Sequence, residues 1–188
     1  MKPQNEMDKK IIDAFYEVLK SSSFAKAKVT SITELAGISH QTFYRYYLDK
    51  YDLSLKIATG KFSAFHDIYS NNATWKEIVI SILNSIKNYP VFFKKLLVDP
   101  DGAEIVRQSI IATSESFVGA KLSKHSVAIW ISILKDWGQE DFRTPIPEVY
   151  NQIRMFTSLK EVLSKEEIEK IMTAYENQPL NYFIKKVK

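Results

Sequence analysis

No cysteine occurs in the 188 residues of this chain. That excludes disulfides, thiolate metal sites and cysteine nucleophiles, and it is compatible with a reducing compartment. Glycine is also scarce, at five residues, and neither a phosphate-cradling glycine loop nor a dinucleotide fingerprint can be found. The three histidines, His40, His66 and His125, form no His-Glu-x-x-His motif, and there is no Gly-x-Ser-x-Gly elbow. Acidic pairs such as Glu166-Glu167 fall at a helix start, where they serve the dipole. An enzyme is therefore not expected, nor a cofactor, nor a bound metal. Long apolar runs are missing too: the longest, Val127 to Leu134, is interrupted by Ser132 and falls far short of the roughly 20 residues a membrane span needs. Met1 to Asp8 is polar and Ile11 to Leu19 mixes apolar with charged residues, so the expectation is a soluble, cytoplasmic protein with no signal peptide and no membrane association.

A strong excess of one charge is likewise absent. The balance is +4, with a pI near 9.0, and residues 1–55 carry eight Lys or Arg against seven Asp or Glu. If this chain meets nucleic acid, placement of a few groups rather than total charge must carry the affinity. Hydrophobic content of 45% is enough for a small head and one larger helical domain.

What is present is helical periodicity and one compact motif between Val29 and Tyr47. Ile32 and Leu35-Ala36 set an apolar stripe, and Ser31 with Glu34 has the form of a capping box, which predicts a short helix from about Thr30. Gly37 follows the last periodic residue, where a chain leaving a helix often needs a positive φ. Ile38 can plug the angle, and Ser39 offers an N-cap hydroxyl to a second helix over about His40 to Tyr47. At 1.5 Å per residue that helix is about 12 Å long, close to the width of the major groove. Phe43 and Tyr47, four apart, share one face and suit packing against Ile32 and Ile38. His40, Gln41, Thr42, Tyr44 and Arg45 point elsewhere. His40 and Gln41 can donate and accept toward base edges, Thr42 adds a hydroxyl and a methyl, and Tyr44 and Tyr46 can reach phosphate oxygens. Two short helices joined by a glycine turn, the second opening polar and closing aromatic, read as a helix-turn-helix.

The order and spacing of Phe24, Val29, Ile32, Ala36-Gly37-Ile38-Ser39, Thr42-Phe43-Tyr44, Tyr46-Tyr47, Lys50 and Leu53 resemble the DNA-binding head of the tetracycline-repressor (TetR) family of bacterial regulators over about 45 residues. This chain departs from the family pattern at Ser23 (usually Gly), Lys28 (Thr), Thr33 (Ala), Gln41 (Gly) and Tyr47 (Phe). Lys28 and Gln41 fall on DNA-facing positions, so no relative's operator can be carried over. The resemblance implies that His40, Gln41, Thr42 and Tyr44 enter the major groove, that Thr30 adds a contact, and that Lys28, Tyr46 and Lys50 grip phosphates. Lys50 has a further argument, since it precedes the apolar run Leu53, Leu55, Ile57 and should open a helix whose amides attract an anion.

The fold expected is all-α: an N-terminal three-helix helix-turn-helix head over residues 1–50 and a C-terminal helical ligand-sensing and dimerisation domain over 51–188. A brace helix is predicted over about Asp8 to Ser22, a linking helix over Lys50 to Ser70, and a strongly amphipathic helix after the cap Thr74. Tyr89-Pro90 should break that helix, a short aromatic helix should follow, and Asp99-Pro100-Asp101-Gly102 reads as a turn. Helices near Ala103 to Val118, Lys124 to Gln139 and Glu148 to Leu159 come next. One further helix, capped by Ser164 and carrying Ile168, Ile171, Met172 and Tyr175, should end before Pro179. The helix with Val127, Trp130, Ile131, Leu134 and Trp137 is apolar on more than one face, which requires either core or a partner to cover it. The resemblance implies a homodimer made by late helices, here through Val127, Trp130, Ile131, Leu134, Trp137, Ile153 and Phe156. Two heads about 34 Å apart would then read successive major grooves of a palindromic double-stranded operator.

Phe62, Phe65, His66, Tyr69, Trp75, Phe92, Phe93 and Trp130 supply an aromatic interior that can enclose a small apolar effector. The function expected is a transcriptional repressor released from DNA by a small molecule. Two alternatives keep the fold, an activator or a regulator controlled by a partner protein.

Overall fold

The computed structural model describes residues 6–64, 74–118 and 122–157, together with Glu166, Glu169, Lys170 and Thr173. Nine α-helices and no strand occur among the described residues: α1 (Glu6–Ser21), α2 (Val29–Ala36), α3 (His40–Tyr44), α4 (Lys50–Ser63), α5 (Trp75–Asn88), α6 (Pro90–Leu97), α7 (Pro100–Val118), α8 (Lys124–Gln139) and α9 (Ile146–Phe156). Contacts group Met1–Phe156 into one compact unit and Thr157–Lys188 into a second. Within the second, Lys170 and Glu166 pair at 2.8 Å one helical turn apart. The expected cap Ser164 and the stripe Ile168, Ile171, Met172 and Tyr175 lie outside the described residues. No helix among the described residues is long and apolar enough to cross a membrane.

In the first unit α1 packs on α2, and α2 on α3, forming the head. Ile11, Phe15 and Leu19 of α1 are fully buried at helical spacing, so the predicted brace is present. α4 leaves the head and packs more extensively on α7 than on any other helix, while α6, α7 and α8 pack on one another and α9 closes over α5 and α8. The body is set by local signals. Thr74 and Glu77 form a reciprocal capping box at the start of α5. Pro90 is the first residue of α6, where a missing N–H costs nothing.

Three predicted elements differ. The Ser31–Glu34 box does not form, because the helix begins at Val29 with Lys28 as an N-cap that gives no side-chain hydrogen bond, leaving Ser31 inside the helix. α3 ends at Tyr44 rather than Tyr47. Its last turn tightens, with the Tyr46 amide donating to Phe43 O at 2.9 Å, because the chain must straighten by Asp49, which is extended at φ −166°. The segment Asp99–Gly102 is only partly a turn: the Asp99 carboxylate accepts from the amides of Asp101 (3.0 Å) and Gly102 (3.1 Å), and α7 already starts at Pro100. Gly102 is required there by space, since a Cβ would lie 2.5 Å from the backbone oxygen of Leu96.

The residues expected at a dimer face fall mostly inside the chain's own core. Val127, Trp130, Ile131, Leu134, Trp137 and Ile153 are all buried within their own chain, and of the seven residues named only Phe156 is exposed. α6, α7 and α9 supply the cover that the two-faced apolar pattern of α8 demanded. At the corner after α8, Asp141 and Phe142 both take left-handed backbone, φ 54° and 57°. Burial of the Phe142 ring, edge-on to Trp137 at 5.0 Å, and the Trp137 indole N–H donating to Thr144 O at 2.9 Å hold that corner against the strain.

Candidate nucleic-acid interface

The head presents its second short helix through two backbone devices. Gly37 adopts φ 65°, ψ 39°, and its N–H and that of Ile38 return to Glu34 O (3.2 Å) and Thr33 O (3.0 Å), closing α2. An added Cβ at Gly37 would meet nothing within 4 Å, so the requirement for glycine is conformational rather than spatial. Ser39 is extended, and its hydroxyl accepts the Thr42 amide at 3.1 Å. The cap fixes where α3 begins.

That start then sorts the side chains. Phe43 and Tyr47 are buried, their rings 5.8 Å apart, against a core that includes Phe24, Ile32 and Leu53. His40, Gln41 and Arg45 are exposed. Tyr44 is 55% exposed with its ring edge-on to Phe43 at 5.5 Å, which steadies the ring while leaving the hydroxyl outward. Thr42 is half-buried, with its hydroxyl 3.0 Å from that of Ser39 and accepting from Arg45 at 3.5 Å, so it is a cap partner first. Lys28 and Thr30 are exposed at the start of α2, whose first amides lack a side-chain cap, an arrangement suited to a phosphate. Tyr46 is half-buried and its carbonyl accepts from Lys56 at 3.2 Å.

Lys50 does open α4 as predicted, but its surroundings differ from the expectation. The Asp49 carboxylate takes the Asp52 amide at 2.8 Å, so a fixed anion already occupies the helix start. The Lys50 ammonium turns inward, donating to Phe24 O at 2.8 Å and Ala25 O at 3.0 Å, and sits 4.8 Å from the Phe24 ring and 5.1 Å from that of Tyr51. Two of its three N–H groups are used inside the head.

Two contacts had no signal in the motif. The Tyr47 hydroxyl donates to the Asp8 carboxylate, 39 residues upstream and 2% exposed, tying the end of the helix-turn-helix segment to α1. Burial, and then this hydrogen bond, push the Tyr47 phenol well above its usual range. Lys56 bonds Asp52 at 2.9 Å and lies 5.1 Å from the Tyr47 ring, tying the same segment to α4. Only the four-residue spacing of Asp52 and Lys56 was visible beforehand.

In the body, the expected effector residues divide. Phe62 stacks on Phe93 at 5.3 Å and Phe93 meets Phe92 edge-on at 5.0 Å, all three buried. Trp75 meets Trp130 at 5.5 Å, and only Trp130 is fully buried. Phe65, His66 and Tyr69 lie outside the described residues, as does the expected extension of α4 to Ser70.

No protein-family model matches the chain. A curated relative, the HTH-type dhaKLM operon transcriptional activator DhaS of Lactococcus lactis subsp. lactis (strain IL1403), is 26% identical over 98 residues, 52% of this chain and 52% of the relative. The chain thus spans about half the length of the curated relative it matches. Among solved structures, the dihydroxyacetone kinase operon activator DhaS superposes with a TM-score of 0.51 at 18% identity, covering 80% of this chain and 94% of that one. A TetR transcriptional regulator from Rhodococcus sp. RHA1 gives 0.52 at 15% identity, covering 83% and 96%. The chain has the all-α fold of TetR-type transcriptional regulators.

Proposed function

We propose that this chain is a sequence-specific DNA-binding transcriptional regulator. The observation that carries the reading is the start of α3, where a capped helix exposes His40, Gln41 and Tyr44 together above the buried pair Phe43 and Tyr47. His40 and Gln41 can form hydrogen bonds in the plane of base edges, and Tyr44 can reach a base or a phosphate. Lys28, Thr30 and the uncapped amides of α2 would hold the phosphate backbone, with Arg45 and Tyr46 flanking. Lys50 would contribute mainly by bracing the corner that positions them. Residues 1–50 act as the reading head and 51–188 as the regulatory and dimerisation domain.

A single five-residue reading helix touches few base pairs, so two copies on a palindrome are the economical way to be selective. The pairing surface is drawn from what α8 and α9 leave exposed: Ile129, Met155 and Phe156, at 36%, 73% and 56% exposure. Repression relieved by a small molecule is the primary reading. The relative's description as an operon activator favours a second reading in which the same contacts recruit rather than block transcription.

Light scattering should report a dimer at micromolar concentration and a monomer for Phe156→Glu; a wild-type monomer contradicts the pairing. Lys28→Ala should weaken all duplex sequences alike and lower the salt slope by about 0.9. An unchanged slope removes Lys28 from the interface.

A further inference from the structure

α3 is five residues long, too short to hold an orientation by itself. Ser39 caps its start. Its exit, residues 45–49, runs between α3 and α4 and has to be fixed from outside, because the side chains of Arg45 and Tyr46 leave from it. Burial does part of this. Tyr47 is buried, but Leu48 is 79% exposed and Arg45 is exposed as well.

The first two turns of α4 supply the rest through the backbone. The Asp52 carboxylate accepts the Leu48 amide at 2.9 Å, and the same oxygen accepts the Lys56 ammonium at 2.9 Å. That ammonium donates a second bond, to Tyr46 O at 3.2 Å, and lies 5.1 Å from the centre of the Tyr47 ring. Two side chains one helical turn apart thus grip the two peptide units that flank Tyr47, one by its C=O and the other by its N–H. They form a clamp. The Asp52 side chain is 19% exposed and that of Lys56 47%, so the shared acceptor is partly sheltered from competing water. The clamp is separate from the start of the helix, which Asp49 caps through the Asp52 amide at 2.8 Å.

A lysine at this position has a competing use, direct contact with a phosphate. The geometry counts against it. Two of the three ammonium N–H groups are already used, and the charge is paired with Asp52. A carboxylate kept beside the path of a polyanion weakens association through its charge.

We infer that Asp52 and Lys56 are positioning residues for DNA reading: by clamping the exit of α3 they set where Arg45 and Tyr46 meet the phosphate backbone, and neither touches the DNA itself. The inference rests on the reading of residues 1–50 as a DNA-binding head, and it adds to that head two residues from beyond its boundary. An exit held before DNA arrives loses less freedom on binding.

The decisive observation is the sign of the effect of Asp52→Asn. Removing a negative charge from a protein that approaches DNA ordinarily tightens binding. Opening the clamp should loosen it. With the full chain, fluorescence anisotropy is measured on the duplex that the wild type selects from random DNA, at a temperature where circular dichroism shows every variant folded. Asp52→Asn and Lys56→Met should each weaken binding about fivefold and share one salt slope, and the double variant should be no weaker than the worse single, since both open one clamp. Lys56→Arg, which keeps donors for both acceptors, should recover most of the affinity.

Binding by Asp52→Asn as tight as the wild type or tighter would overturn the inference. So would a double variant whose loss is the product of the two single losses, Lys56→Arg no better than Lys56→Met, or a lower Tm with affinity unaltered, which marks a purely structural brace. A salt slope that falls by about 0.9 in Lys56→Met and stays unchanged in Asp52→Asn would make Lys56 a phosphate contact and contradict the clamp. A wild type that selects no duplex overturns the reading of the head, and this inference with it; each of the other failures removes the clamp alone.

Discussion

The head and the distal end of the body treat polar groups in opposite ways. In the head, Asp8 meets Tyr47, Lys50 meets two carbonyls, and Ser39 and Asp49 cap the helices they precede. At the distal end, Thr113, Ser114 and the Trp75 N–H are shielded from water and bond nothing. A surface that recognises a fixed partner gains from being rigid before the partner arrives, because less freedom is lost on binding. The two regions therefore differ in how far their polar groups are satisfied, although a single unit contains both. Tyr16, whose buried hydroxyl is also unpartnered, belongs to the seam between them, where its ring lies against Tyr89 and Phe92 of the body.

The largest effect that would sharpen this contrast is loss of the head's keystone. Phe43→Ala removes a fully buried ring and should destabilise the head by about 3–5 kcal/mol; urea denaturation reads it, and a change under 1 kcal/mol, an about fivefold effect, breaks the claim of a preorganised reader. Next in size is Gln41→Ala. It should leave Tm alone while weakening the cognate duplex by about 1–3 kcal/mol in fluorescence anisotropy. Equal losses on cognate and unrelated duplexes would move Gln41 from base reading to backbone contact.

Tyr47→Phe tests the tie to α1 and should cost about 1–3 kcal/mol near neutral pH, since it takes a donor from the buried Asp8 carboxylate. It also carries a pH signature. The folded phenol titrates above its unfolded value of 10.0, so its contribution is complete below pH 10 and is lost as pH rises beyond it. The wild type should therefore lose stability above pH 10 more steeply than Tyr47→Phe, by circular dichroism. Parallel alkaline profiles would count against the buried bond. Ser39→Ala is the smallest, about 1 kcal/mol from the lost cap, and it should lower DNA affinity along with Tm.

Much of this architecture was legible because the signals are local. Gly37, Ser39, Thr74 and Pro90 act on their own backbone or within three residues of it, so reading them required no knowledge of the fold. The failures share a cause as well. Ser31 and Glu34 have the spacing of a capping box, but the helix had already started at Val29. The inward turn of Lys50 depends on carbonyls 25 and 26 residues upstream. The two-faced apolarity of α8 demands cover, and cover from α6, α7 and α9 produces the same pattern as cover from a second copy. Orphaned hydroxyls are invisible in sequence for a related reason: serine and threonine in a helix announce nothing until their neighbours are known to lack a partner for them.

The central claim, that the polar start of α3 reads DNA sequence, is tested most directly by selecting bound sites from random duplex DNA with the full chain and with Gln41→Ala in parallel. The account predicts that the wild type recovers a palindrome with half-sites about one helical turn apart, or a multiple of it, and that the variant relaxes the same position in each half-site. Recovery of no common sequence, or of the same sequence with equal enrichment by both proteins, would contradict it.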